Sequence, residues 1–475
     1  MFAWALASGI FSYYLLGLGI IGKLEYPYIL FGTAAFIIYT YFCIQRKLSV
    51  QNLGSFVQKF YSLDKLEKTA VGLISAQILC NLVGALGPEI AYDAVWYHLT
   101  IPRIWLMEHT IFHIPHGPFS YSLLPKLLDV FYIAALSLSN EVAAKLIHWG
   151  FGILCGYALY YTARHFTTRK YSLLTLVLFY SNLVVGWQSI TAYIDLGRTF
   201  YETLALLALI YSTTTNSSRW RYIAAAMIGL AILSKLLALT SLAALVLILL
   251  YQRKMINAFI CLCIVCMMPA PWFVLNFMQT GNPVFPVFSS YDLSSTSSLV
   301  DGITIWFTSA DPLSPLYAMF APLYLASLVP SLKKIIFQPI PEKHKKSVHT
   351  LILYSCLLFA LWVCTPRTGG GRFILPYLPA FSVVAVYVLS LVKVRLVRLV
   401  SISAIVLISI FSLFYRAYAN MKYLPVILGT ESKQEFLRKQ LPKDFGDNWY
   451  YLDDASLKRV YTESARPEGL HWQYD

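Results

Sequence analysis

Apolar residues fill this chain in long runs, not at the alternation of a half-buried strand or the spacing of an amphipathic surface helix. From Met1 to about Phe414 the runs recur at lengths near the roughly 20 residues that carry a helix across a bilayer. The breaks between them are mostly short and hold the polar positions. The runs predict spans at 1–22, 26–44, 69–87, 143–162, 172–190, 197–213, 220–235, 236–251, 255–275, 314–330, 348–364, 372–391 and 399–415. This pattern is that of an all-α polytopic membrane protein with about 13 transmembrane helices. Segment 124–138, LPKLLDVFYIAALSL, fits either a helix lying in the interface or a short span. A span there would invert the sidedness of everything before it or after it.

Composition supports the membrane reading. The chain of 475 residues is 58% hydrophobic and 13% charged, too little polar surface to cover a soluble core of that size. The net charge of +14 would suggest a nucleic acid partner in a soluble protein. Here the basic residues cluster in loops: Arg46, Lys47, Lys59, Lys65 and Lys68; Arg164 to Lys170; Arg219 and Arg221; Arg253 and Lys254; Lys333 to Lys346; Lys393 to Arg398. Every cluster falls on one side when the spans alternate, which assigns that side to the cytoplasm and leaves no call for nucleic acid.

The organisation follows. Two N-terminal helices occupy 1–45 and a cytoplasmic loop 46–68. A membrane module covers 69–275 and includes a long outer loop, 88–140. A second outer loop covers 276–313, further spans 314–415, and an outer-face tail 416–475. The apolar start reads as a first span and not a removable signal. The Cys residues lack zinc or redox spacing and read as free thiols. The run Gly17-Leu18-Gly19-Ile20-Ile21-Gly22 has the letters of a dinucleotide fingerprint, but inside an apolar span its glycines serve helix packing. The sequon Asn216-Ser217-Ser218 falls on the cytoplasmic side, where it would go unused.

Ionisable residues near the membrane core are the functional candidates. The first outer loop holds Glu89, Asp93, His98, Arg103 and Glu108. Glu89 and Asp93, four apart, share a face on a helix. Asp93 stands alone among apolar and aromatic neighbours in IAYDAVWYHL. It is either a general base or one solvated charge of an amphipathic loop helix. His109, His113 and His116 have helical metal-ligand spacing, although Pro115 and Gly117 interrupt it and interfacial histidines explain them as well. Asp195 lies at an outer span end, with Arg198 as a local ion-pair partner. Lys235 is a lone cation between two apolar runs and needs an anion from protein or ligand. In Thr365-Pro366-Arg367-Thr368-Gly369-Gly370-Gly371-Arg372 the glycines expose backbone donors between two arginines, which suits phosphate. A flexible loop with interfacial arginines is the competing view.

The ordered motifs YDAVWYHLTIPRIWLMEH, SITAYIDLGRTFYETLALL, GLAILSKLLALTSLA, TGNPVFP and GRFILPYLPAFS resemble the GT-C glycosyltransferase superfamily. The resemblance is to bacterial relatives of the protein O-mannosyltransferases and of the lipid A aminoarabinose transferase, and it covers about Ala70 to Pro442. It implies a GT-C fold with two large outer loops bearing interfacial helices. It also implies a polyprenyl-phosphate sugar donor, an unidentified hydroxyl acceptor and transfer with inversion. Asp93 maps to the family's catalytic Asp, and Asp195, Lys235 and Arg372 to its other motif positions. His98, Arg103 and Glu89 join these as expected substrate-binding residues. No cofactor is required on this reading, and a divalent metal stays open. The mannosyltransferases carry a second acidic residue beside the catalytic Asp. Ala94 stands there in this chain, which argues against protein mannosylation and an acidic metal pair. The expected location is the bacterial inner membrane, with the site at its outer, periplasmic face. A transporter or flippase of lipid-linked glycans is the alternative, and a noncatalytic assembly subunit a third reading.

Overall fold

A computed structural model describes residues 1–48, 61–114, 119, 122–285, 317, 320–364, 370–441 and 448–463. Most helices follow the apolar runs: α1 (Phe2–Ile20), α2 (Tyr26–Leu48), α3 (Lys65–Leu86), α4 (Thr100–Met107), α5 (Leu127–Leu138), α6 (Glu141–Phe166), α7 (Arg169–Tyr180), α8 (Asp195–Thr215) and α9 (Ser218–Ser234). Then come α10 (Leu239–Tyr251), α11 (Met255–Met267), α12 (Ala270–Thr280), α13 (Glu342–Val363), α14 (Leu378–Leu391), α15 (Arg395–Asn420), α16 (Lys433–Gln440) and α17 (Asp454–Glu463). Of these, α4, α16 and α17 lie outside the runs, in the first outer loop and the tail. Among the described residues the β structure is one isolated bridge, Phe337 to Val392. The protein is an integral, multi-pass membrane protein.

Local chemistry sets the ends. Asp64 and Glu67 form a reciprocal capping box at the start of α3, and Gly87-Pro88 ends that helix. Asn140 caps α6 through Val142 N–H. Asn216 closes α8 in the left-handed conformation, φ +52°. The predicted run 255–275 bends by 54° between α11 and α12, where Pro269 removes a backbone donor.

Each predicted run contains helix, but not each helix is a full span. By length and composition, seven described helices suffice to cross a membrane, or eight if the bent pair is one span. Helices α7, α9 and α10 are shorter, at 12, 17 and 13 residues. Helix α8 is long enough, at 21 residues, but carries Asp195, Arg198 and Glu202 in its first turns. The run 172–190 stops at Tyr180, because the Asn182 amide caps the carbonyls of Leu178 and Phe179 and starts a separate turn, Leu183–Gln188. The run 314–330 is described from Tyr317; its helix Ala321–Leu328 breaks before Pro330. Most of the second outer loop, and the segment Thr365 to Gly369, lie outside the described residues.

Segment 124–138 resolves into α5, 12 residues and so about 18 Å long. That is too short to cross by itself. Every residue from Leu127 to Ala135 is buried, so α5 also does not lie open at the interface. It is enclosed by α1, α2, α4 and α6.

Helix α8 is the axis of the bundle. It is buried from Asp195 to Ile210 and packs most closely on α6 and α9. An all-round buried helix reads as continuously apolar. Here that pattern is interrupted on one face by Asp195, Arg198 and Glu202, at helical spacing. At the periphery, α2 exposes Phe31, Ile37, Ile38 and Phe42, and α15 exposes Leu396, Leu407, Phe411 and Phe414. Lipid covers such side chains at no hydrophobic cost. The tail folds back onto the first outer loop, with Trp449 against Phe119 and Tyr461 against Phe112.

Candidate active site

The first outer loop leaves α3 at Gly87 and passes through Asp93 into a π-helical turn, Ala94–His98. Such turns disrupt the regular ladder and recur at functional sites. Asp93 Oδ2 lies 2.5 Å from Arg372 Nη1. The Asp93 backbone N–H donates to the Tyr193 hydroxyl at 3.1 Å. Arg372 stands over the Tyr193 ring at 5.1 Å and the Phe373 ring at 5.4 Å. Three distant segments thus meet at one carboxylate.

Asp195 opens α8. Its Oδ1 accepts from Lys235 Nζ at 2.8 Å, and its buried Oδ2 has no hydrogen-bond partner among the described residues. Lys235 lies 4.7 Å from the Phe373 ring, so one aromatic side chain carries both cations. Arg372 also interacts electrostatically with Asp195 and Lys235. The result is one alternating cluster, Asp93, Arg372, Asp195, Lys235. The side chains of Asp93, Arg372 and Lys235 stay 11%, 16% and 19% exposed, against 1% for Asp195. A ligand can therefore reach the two cations and Asp93, with Asp195 behind them. Phosphate suits the cations, and Asp93 can accept a proton.

A second set of charges holds these loops in place. Glu89 Oε1 accepts from the backbone of Ile90 and Ala91 at 2.8 Å each, and its Oε2 from Ala192 N–H at 2.5 Å. It staples the Asp93 loop to the loop preceding Asp195. Burial pushes its carboxyl above the usual range, against the pull of Lys145 and these backbone donors. Lys145, on α6, donates to the carbonyls of Gly84, Gly87 and Pro88 at 3.0, 2.7 and 3.0 Å. These are the orphan acceptors at the end of α3. His148, one turn along, bridges Thr191 O at 2.8 Å and Leu196 N–H at 2.9 Å, which sets the turn into Asp195. Arg198 binds Glu202 at 2.5 Å, the Tyr377 hydroxyl at 3.0 Å and Leu237 O at 3.3 Å, and so fixes the turn that carries Lys235.

No family model matches the sequence, and no curated protein matches it. Two solved structures do match in shape. They are crystal structures of ArnT from Cupriavidus metallidurans, in the apo state and bound to undecaprenyl phosphate. Both superpose with a TM-score of 0.52 over 83% of this chain, covering 75% and 76% of theirs, at 14% and 16% identity. The chain has the GT-C fold.

Within this GT-C fold the expected site residues divide in two. Asp93, Asp195, Lys235 and Arg372 come together. Asp195 pairs with Lys235 and not, as a local reading allowed, with Arg198. The other three have protein partners outside this cluster. Glu89 is the loop staple. His98 Nδ1 meets Asp129 Oδ1 at 2.7 Å, and Lys126 meets the other oxygen at 2.6 Å, in a buried cluster beside Tyr193. Arg103 faces the tail, bonded to Tyr450 O at 2.5 Å and Asp454 at 2.6 Å.

His109 and His113 do not share a metal geometry. His109 Nδ1 meets Leu24 O and His113 Nδ1 meets Ser122, while His116 lies outside the described residues. Among the described residues no three His, Cys, Asp or Glu side chains gather to hold a metal. Sequence reasoning passed over Lys145, His148, Glu202 and Asp129. An ionisable residue inside an apolar run was the available signal for each. Glu202 and Asp129 also had a cation one turn away, Arg198 and Lys126, whereas the backbone partners of Lys145 and His148 left no trace in the sequence.

Proposed function

We propose that this protein is an inverting glycosyltransferase that moves a sugar from a polyprenyl-phosphate donor to a hydroxyl acceptor at the outer face of a bacterial inner membrane. The observation that carries the reading is the alternating cluster of Asp93, Arg372, Asp195 and Lys235 on a GT-C fold. One ArnT structure with this fold is bound to undecaprenyl phosphate. A lipid phosphate at Arg372 and Lys235 would replace carboxylate contacts with phosphate contacts, and the chain supplies both cations within one aromatic frame.

The proposed step is a single displacement. Asp93 takes the proton of the acceptor hydroxyl, and the acceptor oxygen attacks the anomeric carbon from the face opposite the phosphate. The bond from that carbon to the phosphate oxygen breaks, and polyprenyl phosphate leaves with the electron pair. Arg372 and Lys235 stabilise the charge that grows on it, as preorganised cations in a site of low dielectric. Donor arrival draws Arg372 from Asp93, so binding itself frees the base. Asp195 keeps Lys235 oriented and charged. The two protein cations supply the charge the leaving group needs, so chelation with EDTA is expected to leave transfer unchanged. The basic loops assign the opposite membrane face to the cytoplasm.

The test is transfer in proteoliposomes from a radiolabelled polyprenyl-phosphate sugar. Asp93→Asn should lower turnover about a thousandfold, with thermal stability and retention of the donor lipid unchanged. Full turnover in that variant would overturn the assignment.

A further inference from the structure

The helical hairpin α8–α9 carries Asp195 and Lys235 at one end. At its other end sits a group of cations that no carboxylate pairs among the described residues; the nearby Glu342 of α13 pairs with Lys345. Arg221, on the first turn of α9, lies about 21 Å along the helix from Lys235. It is 4% exposed. Its Nε donates to Asn257 Oδ1 at 3.1 Å and its Nη2 to the Ser218 hydroxyl at 2.7 Å. Its Nη1 is buried without a hydrogen-bond partner among the described residues. Lys254, from the turn between α10 and α11, donates to Asn216 Oδ1 at 3.1 Å and interacts electrostatically with Arg221 and with Lys346 of α13. Burial, then Arg221 and Lys346, hold the Lys254 ammonium below its usual range.

Among the described residues, no Asp or Glu forms an ion pair with Arg221, Lys254 or Lys346. A desolvated guanidinium beside a further cation, Lys254, which itself faces Lys346, is costly unless an anion is present. The positive-inside rule explains why basic residues collect on this side. It does not explain why one of them is buried with an unused donor.

We propose that Arg221, Lys254 and Lys346 form a site for a phosphate-bearing anion at the membrane face opposite the candidate active site. The three cations come from the start of α9, the α10–α11 turn and the start of α13. An anion held among them would add to the hydrogen bonds of Arg221 to Asn257 and of Lys254 to Asn216, and among the described residues no ion pair joins these elements. The position at a span end matches the headgroup of an anionic phospholipid, which the cytoplasmic leaflet supplies. A soluble phosphate offers the same chemistry.

The experiment compares thermal melting of the purified full chain in nanodiscs of phosphatidylcholine, in discs with added phosphatidylglycerol, and in phosphatidylcholine discs with inorganic phosphate. Tm should rise with phosphatidylglycerol in a saturable way, and the lipid fraction giving the half-maximal rise should increase more than tenfold in Arg221→Gln. Lys254→Gln, at a half-exposed position that tolerates replacement, should act in the same direction. Arg395→Gln, equal in charge change but exposed on α15, should cost no more than the about fivefold expected of a diffuse surface charge. A rise with inorganic phosphate alone would keep the site and assign it to a soluble anion. Equal effects of all three substitutions, or no rise with either anion, would overturn the proposal.

Discussion

Glu89 and Asp93 stand four residues apart in one loop, yet their carboxyl groups have opposite surroundings. Glu89 is fully buried and accepts three backbone N–H groups from two loops. Asp93 is partly open and its carboxylate meets side chains only, Arg372 in an ion pair with Tyr97 and Tyr193 nearby. The same contrast separates Lys145, which donates to three carbonyls, from Lys235, which has one carboxylate and an aromatic face. A charge bound to backbone on every side builds structure, because exchanging its partners would unfold a loop. A partly exposed charge paired to another side chain can trade that partner for a ligand without unfolding a loop. Backbone satisfaction and enclosure together separate the two roles, and the enclosed pair Arg198–Glu202 belongs with the structural set.

Substitutions sharpen this contrast. The largest stability effect is expected at Lys145→Met, which strands three carbonyls at the end of α3 and should cost about 3 kcal/mol. Thermal melting would record it, and donor retention would fall with it because the Asp93 loop loses its anchor. An unchanged Tm would break the comparison. Arg372→Lys should leave Tm in place but weaken donor binding about tenfold, since an ammonium lacks the planar fork that grips phosphate. A titration with polyprenyl phosphate reads that shift directly.

Smaller effects belong to the tail. The Tyr451 hydroxyl donates to Glu89 O at 2.7 Å, so Tyr451→Phe removes a strut behind the loop staple. About 1 kcal/mol of stability should be lost, and an effect equal to that of Lys145→Met would contradict the ranking. Glu108 holds the tail through the Tyr461 hydroxyl and Lys458, and these contacts, Tyr461 first, keep its carboxyl below the usual range. A depressed carboxylate stabilises docking above its unfolded value of about 4.3 and loses that contribution as pH falls through the lower folded value. Tail release, followed by limited proteolysis, should therefore increase in acid, and Glu108→Gln should show it already at neutral pH.

The apolar runs located the membrane helices but not α4, α16 or α17, which lie in the first outer loop and the tail, and the order of five short motifs pointed to the fold. Asp93, Asp195, Lys235 and Arg372, which the fold brings together, stood out as charges that their apolar or glycine-rich settings do not explain, and the family resemblance picked the same four. Glu89, His98 and Arg103 drew attention by the same rule, and the structure gives them other partners. Charge in a hydrophobic setting announces a constraint without saying whether a ligand or the protein's own backbone imposes it.

What the sequence determined by itself is therefore the membrane class, the approximate places of the long apolar helices and a short roster of costly charges. Run length and hydropathy are local quantities, and the price of placing a charge beside them is local too. Which charges meet was decided by tertiary structure. Asp93 and Arg372 are far apart in the chain, and only the packing of the first outer loop against the turn before α14 brings them within 2.5 Å. The fate of segment 124–138 was decided the same way. Its composition suits an interface, a span or a core, and α5 is core because α1, α2, α4 and α6 close around it. Pairing and enclosure depend on atoms distant in sequence, so they become readable only once the chain has folded.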